Sequence, residues 1–312
     1  MTALISLLAC ITVVGLLGHR PLLWAADRRI DPTVLLTGWI LSCVGLVVAA
    51  LATVALLAVP PHEHRSPGLF RLAGDCLAAM STGSVPGGRE ALAALGVTAS
   101  TVVLSRLASA IRARIRAGRQ RAPHLEQLRL LAGRAARHEP LWIRDDRPVA
   151  MSVGGRRGVI IMSDTLRRHL TPAAVAATLE HERAHLRGRH HLLMATAQTL
   201  ATALPFCPLL RRAPSAVEDL VELAADARAA HHCGPAAVRE ALCRLTGQPA
   251  PAPGLAMAGR LVDVRLERLS AGTVGSRPTT RVAGCLAVAI GALLPPVAAG
   301  LSAYDVIGCV VA

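Results

Sequence analysis

The sequence predicts a mainly α-helical integral membrane protein with one water-facing α+β domain that carries a small antiparallel sheet. Three observations lead there. Of the 312 residues, 53% are hydrophobic and only 17% charged, with a mean hydropathy of +0.46, whereas a soluble domain carries about 25% charge. Uncharged runs of bilayer length recur in the first third of the chain and again near its end. Between them, residues 110–280 are the one stretch long enough for a domain in water. A disordered chain, a collagen and a small disulfide scaffold are excluded. The eight Cys show no paired CxxC spacing, and Cys10, Cys43 and Cys285 fall inside apolar runs as small hydrophobes.

A bilayer core takes about 20 apolar residues in a helix. Residues 34–59 contain no charge and stop at Pro60-Pro61, which predicts a span. The run 3–18 is shorter and has its basic residues, Arg20, Arg28 and Arg29, behind it, so it reads as an uncleaved span and not as a signal peptide. A third run, 91–107, has Arg106 near its end, where the long stem can snorkel to the interface. The last, 282–301, is interrupted by Pro295-Pro296 and predicts a kinked span.

All 34 basic residues are Arg, and the net charge is +14. After the third run, Arg106, Arg112, Arg114, Arg116, Arg119, Arg121, Arg129, Arg134 and Arg137 are opposed only by Glu126, which places that end in the cytoplasm. Counting back puts the N-terminus outside, residues 20–29 inside and residues 60–90 outside. The expected partner of the excess charge is anionic lipid of the bilayer. Direct nucleic-acid binding is not expected, since the chain has only six aromatic residues and no reading motif.

The water-facing stretch opens with an Arg-rich helix at 125–137. Strand-like text follows at 141–143, 149–153 and 159–162, with a Gly154-Gly155 turn, and predicts the antiparallel sheet. Thr171-Pro172 then reads as an N-cap with Pro at the first helical position of a helix that reaches about Arg189. That helix carries Glu180-His181-Glu182-Arg183-Ala184-His185, an HExxH sequence. His181 and His185, four apart, project from one face and can share a tetrahedral Zn2+, while Glu182 lies about 100° round and can reach a water on it.

Catalytic zinc takes a third protein ligand and keeps one position open. A second helix, 217–230, offers Glu222 with Asp226 one turn on, placed to hold the far nitrogen of a ligating His. Glu218 shares the spacing, since Glu222 follows it by four, and Asp219 is a further competitor. Glu222 is favoured because it lies mid-helix in apolar text. His190 and His191 read as polar residues near a helix end. His231-His232-Cys233-Gly234 reads as a helix C-terminus with Gly as the stop. The apolar stretch 191–210 lies between the HExxH helix and Glu222, so it cannot cross the bilayer once; it must be re-entrant, interfacial or buried.

The text from Arg137-His138-Glu139-Pro140 through GRRGVIIMSDTLRRHL, HERAHLRGRHH and VELAADARAA resembles the BlaR/MecR-type membrane zinc metallopeptidases, related in their active sites to the HtpX and CAAX-prenyl proteases. The resemblance implies a zincin-like domain at 111–280, between three spans in 1–110 and a fourth in 281–312, and it supports Glu222 as the third ligand. It also implies a protein substrate, a transcriptional repressor in that family, cut in the cytoplasm at the cell membrane. Few residues follow the last apolar run, so the family's extracellular penicillin-binding sensor is not expected here. In the expected mechanism Glu182 takes a proton from the attacking water and delivers one to the leaving amine. Arg265 and Arg268 are candidates to stabilise the oxyanion. Two other functions fit the same text: HtpX-like membrane-protein quality control, and a non-catalytic signalling protein braced by zinc.

Overall fold

Asp31 accepts a hydrogen bond from the Thr33 amide at 2.8 Å, and Pro32 follows it, so a long apolar helix starts there with its first turn capped. A computed structural model describes residues 2–28, 30–57, 88–131, 139–155, 158–246 and 255–270. The N-terminal part comprises α1 (Thr2–Leu17), α2 (His19–Asp27), α3 (Pro32–Leu57) and the very long α4 (Gly88–Leu131). Three stretches are long and apolar enough to cross a membrane: Leu8–Asp27, Pro32–Thr53 and Ala94–Gln120. They overlap the first three predicted runs. The third run and the start of the Arg-rich helix predicted at 125–137 belong to one continuous helix, α4. Most of the predicted outside loop 60–90, Arg134, Arg137 and the fourth predicted span lie outside the described residues.

The sheet that follows has strands β1 (Pro140–Ile143), β2 (Ala150–Val153) and β3 (Val159–Ser163) in the order β1-β3-β2. β2 and β3 form the expected antiparallel hairpin, with Ala150 opposite Met162 and Val153 opposite Val159. β1, however, pairs with β3 in parallel, Pro140 opposite Ile160, so the sheet is mixed and not antiparallel. The cause is the connection between β1 and β2. Ser163 Oγ donates to the Arg147 carbonyl and accepts from the Val149 amide, and Thr165 Oγ1 donates to the Asp145 carbonyl. These bonds carry residues 145–149 around the end of β3, which leaves β1 on its far flank. β3 is therefore the buried central strand, and among the described residues β2 pairs on one side only.

After β3 come α5 (Asp164–His169), α6 (Pro172–Arg187), α7 (His190–Ala203), α8 (Pro208–Cys233), α9 (Pro235–Thr246) and α10 (Leu255–Ser270). α7 and α8 are joined by the short turn 204–207 into a helical hairpin, which accounts for the apolar stretch 191–210. Ala197, Leu200, Leu209 and Leu210 bury into one cluster with Leu35, Trp39 and Cys43 of α3. At the turn, Cys207 Sγ lies 3.5 Å from the carbonyl of Gly15 in α1, and Phe206 is 70% exposed. The chain thus enters along α7 and returns along α8 to the side from which it came.

α8 is shared between two clusters. Its first half, including Ala213, Val217 and Leu220, packs on the apolar N-terminal helices. Its last turns place Ala229 and Ala230 against Ala177 of α6 and Val238 and Leu242 of α9. A third cluster seats the sheet on α5 and α6 through Ile160, Met162, Leu166 and Ala174. α8 ends at Gly234, whose φ of 83° suits a residue without a Cβ, as the sequence predicts for this stop.

Candidate metal centre

α6 begins where the sequence places it. Thr171 Oγ1 accepts from the Ala174 amide at 3.3 Å, Pro172 occupies the first turn, and the Thr171 hydroxyl donates to Glu240 of α9 at 2.8 Å. Ala174, Ala177, Thr178 and Ala184 are buried, and the small side chains let α8 come close on that face. His181 and His185 stand one turn apart there, and Glu222 of α8 faces both.

His181 Nε2 and His185 Nε2 are 3.1 Å apart, and the Glu222 carboxylate lies 3.4 Å from the first and 3.3 Å from the second. Among the described residues this is the one group of three or more His, Cys, Asp or Glu that could hold a metal ion, with its ligand atoms within 4.8 Å of one another. The donor set fits zinc. Ligand bonds of about 2.0 Å in a tetrahedron give edges of about 3.3 Å, close to the separations found. Glu218 and Asp219 are exposed and take no part in the group.

Asp226, one turn beyond Glu222 and 3% exposed, accepts from His181 Nδ1 at 2.9 Å. In the neutral imidazole this bond keeps the proton on Nδ1 and makes Nε2 the nitrogen that can bind. Arg265 of α10 donates to both Asp226 oxygens, at 2.6 and 2.8 Å, and lies 3.1 Å from Glu222. Burial disfavours charge on His181, yet the hydrogen bonds and charges of Asp226 and Glu222 outweigh it and push the imidazole up to about 10. Burial also opposes the Glu222 charge, but His181, His185 and Arg265 hold that carboxyl well below the usual carboxylate range. The metal-free site at neutral pH therefore holds a proton that a metal must displace.

A first prediction follows from that proton. Zinc binding near pH 7 is expected to release about one proton from His181, and affinity is expected to rise about tenfold per pH unit up to the imidazole's value near 10. Titration calorimetry in buffers of different ionisation enthalpy reads this directly. A heat independent of buffer would contradict it.

Glu182 lines a cavity of about 270 Å³ together with His181, Glu222, Asp226 and Arg265. Its other walls are mostly apolar, with Ala150 of β2, Ala177 of α6 and Ala241, Leu242 and Leu245 of α9 among them. The site thus sets a group of three metal-ligating side chains beside a further carboxylate and an apolar recess. Residues 125–244 match the family model of peptidase family M48. Members of that family are metallopeptidases, generally zinc-dependent, and the matched segment contains His181, Glu182, His185, Glu222 and Asp226. No curated protein and no solved structure matches the chain.

Three residues depart from the sequence reading. Arg265, considered there only for the oxyanion, braces Asp226 and Glu222 from beyond the end of the matched segment. Arg268, its companion candidate, is turned elsewhere: it donates to the carbonyls of Ala26 at 3.0 Å and Ile30 at 3.5 Å, at the end of α2. His190, read as a polar residue at a helix end, is instead 7% exposed and lies against His185. No local pattern marks it, because the approach depends on how the chain turns between α6 and α7.

Proposed function

We propose that the chain is an integral-membrane zinc endopeptidase of the BlaR/MecR type, with its site on the cytoplasmic side and a transcriptional repressor as substrate. The observation that carries the enzyme assignment is the convergence of His181, His185 and Glu222 beside Glu182 at one end of an apolar cavity. The Arg bias after the third apolar run supports the cytoplasmic placement. On this reading residues 1–110 and 281–312 are membrane regions and 111–280 the peptidase domain.

His181, His185 and Glu222 would hold the zinc, with Asp226 fixing the tautomer of His181. Bound there, zinc supplies Lewis acidity to a scissile carbonyl and makes a water more acidic. Glu182 removes the proton of the attacking water at its carboxylate and passes it to the departing amine as the C–N bond breaks. The open side of β2 accepts the substrate backbone as an added strand, and Ala150 brings that strand to the cavity wall. The apolar recess then receives a neighbouring side chain. Ala241→Phe, which fills the recess from α9, is expected to lower kcat/KM for a peptide with Leu beside the cleaved bond by about 10-fold or more relative to one with Ala. Equal effects on both peptides would place side-chain selection elsewhere.

The deciding experiment uses the full chain purified in detergent and a panel of peptides and candidate repressors. Cleavage is expected to stop after removal of metal by 1,10-phenanthroline and to return with stoichiometric zinc. Cleavage that persists in metal-free protein, or none with zinc bound, would overturn the proposal.

A further inference from the structure

His185 presents Nε2 to the ligand group, so its other ring nitrogen decides whether that lone pair is available. For Nε2 to bind a metal in neutral imidazole, Nδ1 must carry the proton and needs an acceptor. His181 has Asp226 for this purpose. His185 has His190: the two Nδ1 atoms are 2.9 Å apart and the rings meet edge to face with centroids 4.8 Å apart. His190 is buried at 7% exposure. We propose that His190 is the positioning residue for His185, accepting its Nδ1 proton and so turning Nε2 towards the metal site.

The backbone is built around this contact. α6 stops at Arg187, Gly188 carries the chain out, and Arg189 takes φ 49° and ψ 38°, the only non-Gly residue with positive φ among those described. A side chain in the left-handed region meets its own backbone, and such outliers persist where the surroundings enforce them. That turn folds the first residue of α7 back over the last turn of α6. At Gly188 a Cβ would stand 2.3 Å from His190 Nε2, so only glycine leaves room for the ring. An imidazole acceptor also differs from the carboxylate that serves His181: it adds no negative charge, so the two ligating histidines are tuned unequally.

The inference rests on the zinc reading of the site, and the test separates the two. Zinc affinity is measured by competition with a fluorescent chelator for the full chain in detergent, for His190→Leu, which removes the acceptor, and for His190→Gln, which keeps one. The tautomer of His185 is read from 15N chemical shifts of the metal-free proteins. His190→Leu is expected to lose about 10–100-fold in zinc affinity and to give a mixed His185 tautomer, with His190→Gln recovering most of both. If wild type binds zinc and His190→Leu matches it in affinity and tautomer, His190 does not position His185. If wild type itself fails to bind zinc, the metal reading falls first and the inference falls with it. Should His190→Leu not fold, the comparison of wild type with His190→Gln decides: a Gln variant that binds zinc like wild type with an Nδ1-protonated His185 supports the acceptor role, and one that has lost both overturns it.

Discussion

Glu182→Gln is expected to bind zinc as wild type does and to cleave peptide about 10²–10⁴-fold more slowly, the range by which a positioned general base accelerates such steps. The two effects separate because Glu182 stands outside the ligand group while lining the same cavity. Glutamine keeps the length and shape of the side chain and one of its two acceptor oxygens. It cannot hold the proton that leaves the attacking water. Metal content by mass spectrometry, beside single-turnover cleavage, reads both quantities on one preparation. Turnover at the wild-type rate would mean that another group is the base, and loss of zinc would mean that Glu182 shapes the ligand group instead.

Asp226→Ala is expected to have the largest effect on stability. The carboxylate is 3% exposed and takes hydrogen bonds from His181 and from two nitrogens of Arg265. Removing one member of a buried ion pair costs about 3–5 kcal/mol, because the other charge stays buried without compensation. Glu222 remains 3.1 Å from Arg265, so the cost should fall near the lower end. The same change frees the far nitrogen of His181 and is expected to weaken zinc binding about 10–100-fold. Thermal unfolding in detergent, with and without zinc, measures both. Asp226→Leu combined with Arg265→Leu should recover much of the lost stability, since no lone charge is left behind. An unchanged midpoint for Asp226→Ala would refute the account of the pair.

What the sequence discloses about this site is what lies within one helix. The His181–His185 spacing, Glu182 between them and the Thr171-Pro172 start depend on neighbours a turn away, and all are readable as text. Glu222 and Glu218 are equivalent by spacing; what separates them is the packing of α8 on α6, which exposes the one and turns the other to the histidines. The sheet followed the same division. The β2–β3 hairpin has a local signal in Gly154-Gly155, whereas the parallel placement of β1 is made by Ser163 and Thr165 holding a loop. His190 and Arg265 were obscured for a like reason, since each reaches the site through a turn or a helix whose direction no periodicity encodes.

α8 also works as a gauge of height. Cys207, at its start, touches Gly15 within the apolar stretch Leu8–Asp27, and Glu222 follows fifteen residues later in the same helix. At 1.5 Å per residue these levels are about 22 Å apart. With the hydrocarbon edge at the end of the uncharged run 3–18, three residues or about 5 Å from the level of Gly15, a peptide bond would be cut about 17 Å beyond that edge, past the lipid headgroups. A substrate tethered to the membrane would then be cleaved at a set distance from its anchor, and lengthening the spacer before the cut site residue by residue should pass through a maximum and decline. A rate indifferent to spacer length would show that the distance built into α8 is not one the enzyme uses.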